Sequence, residues 1–138
     1  MCPLTTFFDA WSPRILSVFR FVFGLLIFTY GMAKTFKIPY VEMFANIPPL
    51  IQTAGVIELV GGFLVMIGLL TRPAAFLLSG QMAFAYFIGH GIPQGHVLLP
   101  ILNGGVNSVL FCFAFLYLAA TGGGVWSVDA LRACKSQK

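Results

Sequence analysis

Charged side chains are scarce in this chain: its 138 residues carry four Asp or Glu and eight Lys or Arg, 9% in all. A soluble domain carries roughly 25% charge, so an ordinary water-facing globular surface is excluded. Cysteine is scarce too. Cys2, Cys112 and Cys134 are the whole set; none shows C-x-x-C spacing, which argues against both a disulfide framework and a metal site. Also absent are a haem motif, a flavin fingerprint, a P-loop and a nucleophile triad. No cleavable leader is visible. The first apolar run begins after Arg14, is too long for a signal h-region and lacks an A-x-A end, so it is expected to remain as an anchor. The net charge of +4 does not point to nucleic acid, because the basic residues stand singly at the ends of apolar runs, where membrane topology accounts for them.

What is present is hydrophobicity, 59% of residues, in runs long enough to cross a bilayer at about 20 residues each. The expected fold class is an all-α integral membrane four-helix bundle, a single domain over 1–138. Spans are expected at about 15–33, 50–70, 74–90 and 101–121, with an interfacial piece over 1–14 that places Trp11 at headgroup level and a tail over 122–138. Thr71 is expected to cap the third helix and Pro73 to suit its first turn, so the second and third spans form a tight hairpin. Four spans put both termini on one side, with Arg14, Arg72, Arg132, Lys135 and Lys138 against Lys34 and Lys37 opposite. The excess of positive charge predicts cytoplasmic termini.

One residue organises the rest. The run over 50–70 contains a single charge, Glu58, and an ionised carboxylate in hydrocarbon costs several kcal/mol unless partnered, so it is a functional-site candidate. At about 100° per residue, each span shows one polar or small stripe. These are Arg20, Gly24, Ile27, Gly31 and Lys34 on the first and Ala54, Gly55, Glu58, Gly61 and Gly62 on the second. The third carries Ser79, Ala83, Tyr86 and His90, and the fourth Asn103, Asn107, Ala114 and Thr121. Small residues let helix backbones approach closely, and the remaining Leu, Phe, Val and Ile face lipid. Arg20 is long enough to pair with Glu58, fixing helix register; alternatively it snorkels to the interface, or Glu58 relays a proton or binds a ligand headgroup. His90 is either an interfacial histidine beside water or a proton donor or acceptor for such a headgroup. His96 lies six residues on in a Gly/Pro loop, and the two do not make a metal signature.

The ordered series Arg20-x-x-x-Gly24, Gly31-Met-Ala-Lys34, Glu58-Leu-Val-Gly61-Gly62, Gly68-Leu-Leu-Thr-Arg72, Met82, His90 and Gly122-Gly-Gly124-Val-Trp-Ser127-Val-Asp129 resembles the DoxX family of small four-helix membrane proteins, over about 15–130. Two positions depart from the family pattern: Tyr30 stands where His is common, and Val106 and Asn107 follow Asn103-Gly-Gly105 where a Glu is common. Both departures remove titratable groups. The resemblance implies a bacterial inner-membrane protein linked to redox chemistry; relatives include the small subunit of a thiosulfate:quinone oxidoreductase and proteins associated with thiol oxidation and oxidative stress.

The leading expectation is a redox-linked membrane subunit contacting a quinone. Glu58 and His90 are the catalytic candidates, and Arg20, Lys34, Glu58, Tyr86, His90 and Asn107 the candidate ligand contacts. With no electron-carrier motif in the chain, electrons come from the ligand or a partner. The alternative is a non-catalytic accessory subunit packed against a larger membrane protein or complex, with oligomerisation open. A small transporter is less favoured: one four-span unit is short for that role, and no span has a mid-depth Pro.

Overall fold

A computed structural model describes residues 3–136, so Cys2 and Lys138 lie outside the described residues. The described chain is helical, and three helices are long and apolar enough to span a membrane, Leu4–Phe36, Pro49–Ile67 and Thr71–Gln94. They belong to α1 (Pro3–Phe36), α2 (Pro49–Ile67) and α3 (Thr71–Ala85), the last continuing through a π turn, Tyr86–Gly91, into α4 (Ile92–Gln94). A short α5 (Pro100–Asn103) precedes the fourth long helix of the bundle, α6 (Val106–Thr121), and α7 (Val128–Ser136) follows it.

Three boundaries differ from the sequence expectation. Helix α1 runs unbroken from Pro3 through Pro13, where a separate piece over 1–14 was expected. Proline removes one amide donor, and the helix continues past it while Ser17 Oγ donates to Pro13 O at 2.9 Å. Where the fourth span was expected, the helix begins at Val106 rather than 101 and, at 16 residues, is shorter than the three spanning helices, because Gly104 is left-handed (φ 70°) and interrupts it. Thr71 does not cap α3. Its own amide, with that of Leu70, donates to the Asp129 carboxylate of α7 at 2.8 and 2.9 Å, so the cap comes from a distant segment.

Helix α1 packs along α2, α3 packs along α6, and α2 joins the two pairs through α3. Glycine makes the first contact close. A Cβ on Gly24 would lie 2.6 Å from Met66 N and one on Gly62 2.7 Å from Phe28 N, while one on Gly31 would collide with the Leu59 backbone. No side chain separates the two backbones, the arrangement by which helices associate in lipid without hydrophobic drive. The core lies between α3 and α6, with Ala74, Ala75, Leu78 and Met82 facing Phe111, Phe115 and Leu118. Phe111 and Phe115 stack at 5.8 Å, and Phe23 of α1 meets each ring edge-on. These phenylalanines point inward. Phe21, Phe63, Phe76, Phe84, Phe87 and Phe113 are exposed, forming the apolar mantle expected to meet lipid.

Candidate functional site

Two polar clusters occupy opposite ends of the bundle. At the first, Arg20 is 3% exposed and its guanidinium is fully engaged with backbone. Nη1 donates to Val65 O at 2.8 Å and Met66 O at 2.6 Å, Nε to Gly123 O at 2.8 Å, and Nη2 to Trp126 O at 2.6 Å. The first two acceptors belong to the last turn of α2, whose carbonyls are short of helical donors, Val65 O having only the capping amide of Gly68 at 3.1 Å, and carry the negative end of the helix dipole. Gly68 permits this approach. It closes α2 at φ 75°, and a Cβ there would meet Arg20 Nη1 at 2.7 Å.

Asp129 completes this end. Besides capping α3, its own amide donates to Gly68 O at 2.9 Å. Burial works against ionisation of this carboxyl, but the hydrogen bonds from Thr71 and Leu70 and the charge of Arg132 outweigh it, holding the group below the usual aspartate range. Arg72 donates to Ala120 O at 2.8 Å, satisfying the end of α6. Ser127 Oγ accepts from Ala130 N at 3.1 Å, capping α7.

The second cluster surrounds Glu58. Arg20 does not reach it. Glu58 Oε1 instead accepts from Lys34 Nζ at 2.7 Å and from Gln81 Nε2 at 3.0 Å, tying α2 to α1 and α3. The competing carbonyls at the far end of α2 hold Arg20, and close packing brings Lys34 in: a Cβ on Gly55 would lie 2.6 Å from Lys34 Cβ. Lys34 Nζ also sits 5.9 Å from the centre of the Tyr30 ring and 5.5 Å from that of Phe44. The second carboxylate oxygen, Oε2, is buried without a hydrogen-bond partner among the described residues. Such groups are rare because an unmade bond in an apolar interior costs about 1–3 kcal/mol or more.

Glu58 forms part of the wall of a cavity of about 250 Å³, with Lys34, His90 and Asn107 among its other polar residues and Tyr30, Phe44 and Phe111 supplying rings. The π turn bears His90, a local geometry common at functional sites. His90 Nδ1 lies 3.2 Å from Asn103 O. Of the sequence-nominated residues, the structure therefore brings together Lys34, Glu58, His90 and Asn107. Tyr86 stands outside the cavity wall: its hydroxyl donates to Val97 O at 2.6 Å and accepts from Asn103 Nδ2 at 3.1 Å, fixing the loop behind it. Arg20 belongs to the other end. Among the described residues no three His, Cys, Asp or Glu side chains converge as metal ligands.

Gln81, Tyr30 and Phe44 were missed as site residues. Gln81 had a signal, being a primary amide within an otherwise apolar stretch of the third span, where it requires partners. Tyr30 had been noted only as a departure from a pattern. Phe44 arrives on a 3₁₀ turn, Glu42–Phe44, whose carbonyl accepts from Lys37 Nζ; nothing in the sequence periodicity marks it.

Comparison with known proteins places this geometry in context. The DoxX family model matches residues 15–91, more than half of the chain. An uncharacterized protein of Haemophilus influenzae is 37% identical over 124 residues, covering 88% of this chain and 92% of that protein. No solved structure matches the chain.

Proposed function

Since the chain belongs to the DoxX family, we propose that it is a redox-linked membrane subunit that holds a quinone, or a similar amphipathic ring, in the cavity beside Glu58. The observation that carries this reading is that Glu58, a buried carboxylate whose Oε2 has no hydrogen-bond partner among the described residues, is one of the residues lining a cavity that also holds aromatic rings. A mostly apolar pocket with a few convergent polar groups is the general form of a small-ligand site. At about 250 Å³ the space suits a ring headgroup, its apolar tail continuing among the lipid-facing side chains.

A quinone, when bound, supplies two-electron, two-proton chemistry. The chain's own residues bind and orient. Lys34 and Gln81 fix Oε1, which leaves Oε2 for the headgroup, while Tyr30, Phe44 and Phe111 flank its plane and keep water out. His90 and Asn107 provide polar contacts from the π turn and α6. The electrons enter through a partner membrane protein. The location is a bacterial inner membrane, with the end bearing Arg14, Arg72, Arg132 and Lys135 in the cytoplasm, as positive charge favours.

The Lys34–Glu58 pair also bridges α1 and α2, and this favours a second reading, an accessory subunit in which the pair only sets helix register. Purification in mild detergent, solvent extraction and chromatography separates the two. Near-stoichiometric quinone or quinol that disappears in Glu58→Gln is the expected result. Protein free of any such ring, accompanied by one constant large partner, would transfer the conclusion to the accessory role.

A further inference from the structure

We infer that the cavity selects the reduced, hydroxyl-bearing form of its ring ligand, a phenol or hydroquinone, over the oxidised carbonyl form. This rests on the ligand reading above and adds a choice of oxidation state. An ionised carboxylate is an acceptor only. Glu58 Oε1 already receives Lys34 Nζ and Gln81 Nε2, whereas Oε2 receives nothing from the described residues. A quinone carbonyl placed there would set acceptor against acceptor with no hydrogen between them. A hydroxyl supplies that hydrogen in a charge-assisted bond, the stronger class.

The histidine on the same cavity repeats the preference. Asn103 O accepts only, so the 3.2 Å contact with His90 Nδ1 places the hydrogen on Nδ1. In that tautomer Nε2 is the ring's acceptor nitrogen. The cation that would favour a carbonyl, Lys34, already spends one N–H on Oε1 at 2.7 Å and lies 5.9 and 5.5 Å from the Tyr30 and Phe44 ring centres. The Glu58 carboxylate, with aromatic side chains in the same wall, suits a flat ring carrying a hydroxyl.

The test uses the full chain in detergent micelles under anaerobic conditions and three probes sharing one short alkyl tail: a hydroquinone, its quinone, and its dimethyl ether. Equilibrium dialysis should show the hydroquinone binding about tenfold or more tightly than either other ring, the scale of one charge-assisted hydrogen bond. In Glu58→Gln the amide offers donor and acceptor alike, so the hydroquinone-to-quinone ratio should fall toward one. Equal affinity of the three rings for the wild-type protein, or tighter binding of the quinone, would overturn the inference while leaving the ligand reading standing. Failure of all three to bind, the cleft holding water only, would overturn both. The ether comparison needs no variant, so it decides even if Glu58→Gln does not fold.

Discussion

Arg20 and Glu58 are both charged, both set in apolar helices, and 3% and 1% exposed, yet their surroundings treat them in opposite ways. Around Arg20 every acceptor is a backbone carbonyl at a helix end or in the loop that follows α6, and the guanidinium closes them all. Around Glu58 the partners are side chains, and its Oε2, like Oε1 of the neighbouring Gln81, has no hydrogen-bond partner among the described residues. Satisfying backbone groups locks helices in place, because free carbonyls in an apolar medium are costly. Leaving a side-chain acceptor unsatisfied costs stability too, and on the reading proposed above a ligand would satisfy Oε2. On the proposed reading, the Arg20 end serves as the fixed scaffold and the Glu58 end as the site it supports.

The sharpest way to break this division is Arg20→Met, which keeps bulk and apolar reach but removes every donor. The carbonyls of Met66, Gly123 and Trp126 would lose their side-chain donor, and Val65 O would keep only the amide of Gly68 at 3.1 Å. The expected cost is about 3–5 kcal/mol, the scale for breaking a buried charged network by deleting one member. Thermal unfolding of the purified variant in detergent, followed by size-exclusion chromatography, should show a large drop in stability or loss of the folded peak. A variant that melts within a few degrees of wild type would mean that the Arg20 end is not the lock.

Much of this division was legible in the sequence, and the illegible part has a definite cause. Glycines and charges inside apolar spans are so exceptional that the stripe Arg20, Gly24, Ile27, Gly31 and Lys34 could be read directly, and all but Lys34, which is half-buried, are buried. Partnership could not be read. In the folded register Glu58 lies level with Gly31, which at 1.5 Å per residue puts Lys34 about 5 Å away along the helix and Arg20 about 17 Å away. The register makes the choice, and the register is set by glycine contacts that the sequence alone does not pair. Arg20 is claimed by carbonyls of a loop more than a hundred residues away in sequence, and only tertiary structure brings that loop to it. Gln81 and Phe44 were hidden for the same reason, each acquiring its role from a neighbour on another element. The fourth stripe failed differently: Gly104 and Gly105 interrupt the helix between Asn103 and Asn107, so the two asparagines do not share one face.

Asp129 gives a smaller effect at the locked end. Asp129→Ala removes the acceptor for the amides of Leu70 and Thr71 and should cost about 1 kcal/mol, as loss of a helix N-cap usually does. Its carboxyl is held below its ordinary value, so the stabilisation is fully present above the usual aspartate range and is lost as pH falls through the depressed value. Melting curves for wild type and variant should therefore differ at neutral pH and converge under strong acid. A constant difference down to low pH would show that the carboxylate charge plays no part in docking α7 onto the α2–α3 turn.

Asn107 tests the open end with the smallest expected change in stability. Asn103 and Asn107 are four residues apart, yet Asn103 is 5% exposed and uses its amide on Tyr86, His96 and Gly105. Asn107 is exposed, forms part of the cavity wall and makes no side-chain hydrogen bond among the described residues. Asn107→Leu should leave the melting temperature close to wild type, a change within about 0.5 kcal/mol, since it breaks no contact and creates no buried polar orphan. The same substitution should reduce the amount of ring ligand that co-purifies, because the wall loses a polar contact and gains bulk. Stability and occupancy then move independently, which they could not do at the Arg20 end. A loss of stability as large as that of Asp129→Ala would show that the cavity wall is held together by its own polar side chains, and the contrast between the two ends would fail.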